Sequence, residues 1–201
     1  MRRLVFTGGI FERVNEIVHA VDVETGVRIF GDIREDQYVV RHVVGPGANA
    51  LQQPYNYCCD NDHAEREYNR LLKTDPALQW LGELHVHPSG YPYLSRTDRR
   101  TAREVICSTE DVFHPVEFIV GVIQRTPGPD FEVFPVVFSK SNLEGETLDV
   151  DYGKPHLCAK PRGAERAIAK AYRYCRMWQY RRSGRRDRHT DGCRGDNARR
   201  P

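Results

Sequence analysis

The 201-residue chain contains no run of 18 apolar residues, so nothing in it reads as a membrane-crossing helix. Met1-Arg2-Arg3 is followed by too short an apolar stretch for a secretory leader, and a cytoplasmic protein is expected. Its six cysteines (Cys58, Cys59, Cys107, Cys158, Cys175 and Cys193) include no C-x-x-C pair, which argues against a zinc ribbon, a thioredoxin-type motif and a disulfide-stapled miniature. Hydrophobic residues are scarce overall, at 39%. The shortage is concentrated at the end of the chain: after Arg182 only Cys193 and Ala198 are apolar, too little to offset the entropy of ordering that segment.

Charge divides at the same place. Residues 1–159 carry 16 Lys and Arg against 24 Asp and Glu, a net of −8, whereas residues 160–201 carry 14 against 4, a net of +10. An acidic domain over 1–159 and a basic C-terminal helix with a disordered tail over 160–201 are expected. Tyr172, Tyr174, Trp178 and Tyr180 interleave with Arg in this tail, so a nucleic-acid contact is one reading of it; a solvated basic helix is the plainer one.

Within 1–159 the pattern alternates between helices and strands. Leu4 to Phe6 reads as a strand, and Phe11, Val14, Ile17, Val18 and Val21 recur at helical spacing. The runs around Val27 to Gly31 and Tyr38 to Val44 predict two antiparallel strands ending at Gly45-Pro46-Gly47. Residues 48–61 lack periodicity and read as a loop lining a groove. Ala64 to Leu72 reads as a helix, Leu78 to His87 as a strand, Arg99 to Ile106 as a helix, and residues 116–123 and 131–138 as a hairpin. The fold class is α/β: a mixed, mostly antiparallel sheet flanked by helices.

Chemistry concentrates in His85-Val86-His87-Pro88. Strict alternation puts Leu81, Glu83, His85 and His87 on one face of their strand, with the two histidines about 7 Å apart at Cα, close enough for both to reach one metal ion. Pro88 turns the chain, and Ser95-Arg96-Thr97-Asp98 opens the next helix, returning a carboxylate to the same place. Two histidines and one aspartate leave a tetrahedral zinc one open position, the ligand count of a catalytic site. Glu83, on the same face, suits the role of an outer carboxylate orienting a ligand ring, without excluding base or ligand.

The string HVHPSGYPYLSRTD resembles the motif of the JAMM metalloprotease family (the JAB/MPN domain, prokaryotic type). Glu24-Thr25-Gly26-Val27-Arg28-Ile29-Phe30-Gly31 resembles its upstream E-T-G-x-x-x-x-G strand, except that Val27 stands where many relatives have Gly. The resemblance spans roughly residues 8–140. It implies a cytidine-deaminase-like α/β fold, Zn2+ held by His85, His87 and Asp98, Glu24 as general base and acid, and Ser95 as oxyanion donor. It further implies hydrolysis of a peptide or isopeptide bond at the C-terminus of a ubiquitin-like protein, with that protein or its conjugate as partner, and activating or conjugating enzymes of such a system as further partners. The competing readings are a catalytically silent MPN-type interaction module, which typically lacks zinc ligands, and a nucleic-acid-associated protein acting through its tail. Thiol protease and zinc deaminase sites lack their sequence contexts, the latter needing H-x-E with P-C-x-x-C.

Overall fold

Leu4 and Phe6 are fully buried in β1 (Arg3–Phe6), the first strand of a computed structural model that describes residues 2–88, 90–108, 115–127 and 130–153. The basic helix and tail expected over 160–201, and the boundary at 159, lie outside the described residues. After Gly8-Gly9, α1 (Ile10–His19) buries Phe11, Val14 and Val18, the one-sided stripe its periodicity requires. The next two apolar runs form β2 (Gly26–Ile33) and β3 (Gln37–Val44), paired antiparallel as expected.

Residues 48–61 are not a bare loop. Leu51–Gln53 (β4) and Asn56–Cys58 (β5) pair as a short antiparallel hairpin separate from the main sheet. Strands of three residues carry too little alternation to be legible as strands. Asp60 then caps α2 (Asn61–Leu72) by accepting from the His63 backbone N–H. The remaining elements are β6 (Gln79–Val86), α3 (Arg96–Cys107), the antiparallel pair β7 (Glu117–Arg125) and β8 (Phe131–Ser139), and two strands the sequence did not announce, β9 (Asn142–Thr147) and β10 (Asp149–Asp151). β9 is almost wholly exposed, so it has no buried face to show in its sequence.

Eight strands make one mixed sheet in the order β10-β1-β3-β2-β6-β7-β8-β9, in which the β1–β10, β1–β3 and β6–β7 pairs are parallel and the other four antiparallel. One face packs Val27, Ile29, Leu84 and Val86 against Phe11, Val14 and Val18 of α1; the other packs Phe30, Trp80 and Phe118 against Ala64 and Leu71 of α2 and Ala102 and Ile106 of α3. Each such large side chain, fully buried, stabilises the fold by roughly 1.5–3 kcal/mol before entropy is counted. Val27, the departure from the family strand, is 1% exposed in the first of these cores, so its extra bulk serves packing. No helix among the described residues is long and apolar enough to cross a membrane.

Candidate metal centre

Strict alternation fails at one point of β6. Ile29 pairs with Gly82 and Phe30 with Trp80, so Leu81 is an extra residue bulged from the ladder. The bulge turns Leu81 into the core with Leu84 and Val86, not onto the Glu83 and His85 face that simple parity predicts. Gly82, at φ +150°, permits this: a Cβ there would meet the Ile119 carbonyl oxygen at 1.9 Å. Beyond Gly82 alternation resumes, with Leu84 and Val86 buried in the α1-side core. β2 runs close against this end of β6 because Gly26 pairs with His85; a Cβ on Gly26 would lie 2.6 Å from the Leu84 carbonyl oxygen and 3.0 Å from the His85 Cβ.

The third group arrives through a helix cap. Ser95 Oγ accepts from the Asp98 backbone N–H at 3.2 Å, and Asp98 Oδ2 accepts from the Ser95 N–H at 2.6 Å, a reciprocal capping box at the start of α3. This fixes Asp98 with Oδ1 3.5 Å from His85 Nε2 and Oδ2 3.5 Å from His87 Nε2, while the two Nε2 atoms stand 3.0 Å apart. His87 Nδ1 lies 3.1 Å from the Tyr91 carbonyl oxygen. A carbonyl only accepts, so Nδ1 carries the proton and the Nε2 of neutral His87 presents its lone pair to the cluster. Four-coordinate zinc with bonds of 2.0–2.1 Å has ligand-to-ligand edges of about 3.3 Å. The 3.0 Å between the rings and the 3.5 Å from each ring to its own Asp98 oxygen are of that order, one ligand atom from each residue lies within 4.8 Å of the others, and these three residues could hold a metal ion.

Electrostatics in the cluster follow from its geometry. Burial pushes the Asp98 carboxyl up, but hydrogen bonds with His85 and His87 outweigh burial and hold it well below the usual carboxylate range. Burial pushes His87 down, and the hydrogen bond and charge of Asp98 more than reverse this, leaving it raised. Glu24 lies in the segment before β2, half-buried; burial raises its pKa against the opposing pull of His87 and His85, with Asp98 adding to the rise. The early glutamate is therefore within electrostatic reach of all three candidate ligands.

Glu83 does something other than orient a ring. Its carboxylate accepts from Arg28 Nε at 2.9 Å, and Arg28, which is 8% exposed, also donates to Asn61 Oδ1 at 2.6 Å and lies over the Trp80 ring. The ring-orienting contact on His87 comes instead from the Tyr91 backbone, which no side-chain pattern reveals. Cys59 sits beside the Arg28–Glu83 pair, and burial together with Glu83 pushes its thiol up to about 11, the opposite of what a nucleophile needs. Within the segment expected to line a groove, the β4–β5 hairpin borders Glu24 through a Glu24 N–H to Gln53 carbonyl hydrogen bond of 3.1 Å. Tyr91 itself packs edge-on against Tyr93.

No family model matches the chain. It is similar to a protein of Escherichia coli (strain TW11681) named CD-NTase/cGAS isopeptidase, 26% identical over 104 residues, covering 51% of this chain and 65% of that protein. A protein of the same name from Vibrio cholerae serotype O1 (strain ATCC 39315 / El Tor Inaba N16961) is 27% identical over 96 residues, covering 47% of this chain and 62% of that protein. The matches thus span a little under two thirds of these relatives. Among solved structures, the protein DSY2949 from Desulfitobacterium hafniense superposes with a TM-score of 0.54 over 77% of this chain and 94% of that one, at 15% identity, a likeness of fold alone.

Proposed function

We propose that the chain is a zinc metalloprotease of the JAMM type, built on the cytidine-deaminase-like JAB/MPN fold, that acts in the cytoplasm. Its reaction is hydrolysis of the peptide or isopeptide bond at the C-terminus of a ubiquitin-like protein. The observation that carries this reading is the meeting of His85 Nε2, His87 Nε2 and an Asp98 carboxylate within 3.5 Å, with Glu24 in electrostatic reach. The isopeptidase names of the two relatives support the reaction class, and they put a CD-NTase or cGAS conjugate first among substrates to try.

Bound zinc supplies Lewis-acid polarisation and a water acidified towards about pH 7. Glu24, its pKa raised by burial, takes the proton from the attacking water and delivers it to the leaving amine. The Ser95 hydroxyl oxygen accepts from Asp98 N–H while its O–H is shared with the Asp98 carboxylate, and that O–H turns to donate to the oxyanion that develops on the substrate. The β4–β5 hairpin and residues 90–94 border the path of an extended tail, where glycine lets the substrate backbone come close.

Zinc content and cleavage of a conjugate test this together. One zinc per chain is expected, and Glu24→Ala keeps the zinc while losing at least about 10²-fold in turnover. Undiminished cleavage in that variant rejects Glu24 as the base, and a purified chain that binds no zinc rejects the metal reading.

A further inference from the structure

The segment that carries Glu24 belongs to no helix or strand, yet it is tied at both ends. On its N-terminal side, three carbonyl oxygens converge on the Arg125 guanidinium at the end of β7: Nε donates to Val18 at 2.7 Å, and a terminal nitrogen donates to Val21 and, at 3.5 Å, to Val23. On its C-terminal side Thr25 has no solvent exposure, so its hydroxyl needs a protein partner. That partner is Gln52 of β4, whose Nε2 donates to Thr25 Oγ1 at 2.7 Å. The Thr25 carbonyl accepts from the N–H of Val86, the residue between the two histidines, at 2.8 Å, and the Glu24 N–H is held by Gln53.

We propose that Gln52 and Arg125 are positioning residues for Glu24. They brace the backbone on either side of it, so that its carboxylate is presented to the His85–His87–Asp98 cluster from a fixed place. An unbraced segment of this length samples many conformations, and a base displaced by about 1 Å loses roughly 10²-fold in rate. Arg125 also satisfies a carbonyl in the last turn of α1, a purely structural service, but its bonds to Val21 and Val23 lie beyond the helix. Gln52 has no such second duty. It stands on a hairpin outside the main sheet, and its side chain is no part of either hydrophobic core.

The proposal rests on Glu24 as the base, and its test reads backbone order as well as rate. The zinc-loaded full chain is compared with Gln52→Ala, Thr25→Val, Thr25→Ser and Arg125→Gln. The readouts are amide hydrogen exchange, zinc content, and kcat and KM on a Gly-Gly peptide joined to a lysine ε-amine. Gln52→Ala and Thr25→Val are expected to speed exchange at the Glu24 amide at least tenfold while leaving Leu84 in β6 unchanged. They should retain zinc and lower kcat roughly 10- to 100-fold with KM within about twofold. Thr25→Ser, which keeps the accepting oxygen, should recover protection and turnover relative to Thr25→Val, and Arg125→Gln should loosen the Val21–Glu24 amides in the same way. Wild-type exchange at Glu24 in Gln52→Ala, or exchange that rises evenly along the chain, overturns the proposal. A wild-type chain that binds zinc but leaves the isopeptide intact counts against the proposed activity, and the exchange pattern then decides the brace by itself.

Discussion

Two polar clusters at opposite ends of the central strands are matched in opposite ways. At the start of β7, Glu117 receives one hydrogen bond on each carboxylate oxygen, from Arg2 at 2.7 Å and the Tyr38 hydroxyl at 2.7 Å, and the Arg2 guanidinium lies over the Tyr38 ring. Every acceptor there has a donor, and burial with the Glu117 bond drives the Tyr38 phenol far up, so it stays protonated. At the end of β6, His85 Nε2, His87 Nε2 and the Asp98 carboxylate crowd together within 3.5 Å, so that either ring protons or a cation must lie between them. A cluster that balances itself is structural; one that brings two imidazole nitrogens and a carboxylate together could hold a cation.

Substitution should break this contrast cleanly. Replacing His85, His87 or Asp98 by Ala is expected to weaken zinc binding more than about 100-fold, since losing even an outer partner typically costs 10- to 100-fold, and to abolish hydrolysis. Glu117→Ala should leave zinc binding intact and instead lower stability by about 1–3 kcal/mol, because the buried Tyr38 hydroxyl loses its acceptor. Calorimetric zinc titration and denaturant unfolding of the same variants check both halves; zinc loss in Glu117→Ala would dissolve the distinction.

Ser95 offers a finer cut. Ser95→Ala removes both the helix cap and the hydroxyl donor, so about 1 kcal/mol of stability and roughly 10²-fold or more in turnover should go together. Ser95→Asn keeps a cap but not the O–H, and should restore stability without restoring rate. If Ser95→Asn turns over normally, the serine is a cap and nothing more.

The smallest expected effect is on pH dependence. In the metal-free chain Asp98 is depressed, so its contribution is present above its unfolded pKa of about 3.9 and is lost as pH falls through the folded value. His87 is raised, so its contribution is complete below its unfolded pKa of about 6.5 and is lost as pH rises through the folded value. With zinc the sign for His87 reverses, because the ion takes the neutral ring: affinity should be full above the raised His87 pKa and decline below it. Melting temperature against pH, with and without zinc, should therefore give curves that diverge towards neutral and alkaline pH.

The candidate ligands were legible in the sequence because all three come from one strand end and the helix cap that follows it, where spacing alone dictates geometry. Glu24 was legible only through the resemblance of the stretch from Glu24 to Gly31 to a JAMM-family motif, in which Gly26 meets the close approach to His85. Three features were hidden for physical reasons. The bulge at Leu81 depends on how β2 pairs with β6, a long-range register that strict alternation cannot express. The Tyr91 contact on His87 is a backbone carbonyl, available from any residue type. Gln52 and Arg125 reach Glu24's segment from 27 and about 100 residues away in sequence respectively, so no local pattern records them.

Asp98 answers to two masters. Its Oδ2 belongs both to the first turn of α3, through the Ser95 N–H, and to the His87 ring. The histidines are rooted in a strand between two packed cores, whereas the aspartate depends on a helix terminus, the part of a helix that opens most readily. Warming should therefore release the ion by fraying that terminus while the sheet is still intact, and a filled site should in turn clamp the end of the helix.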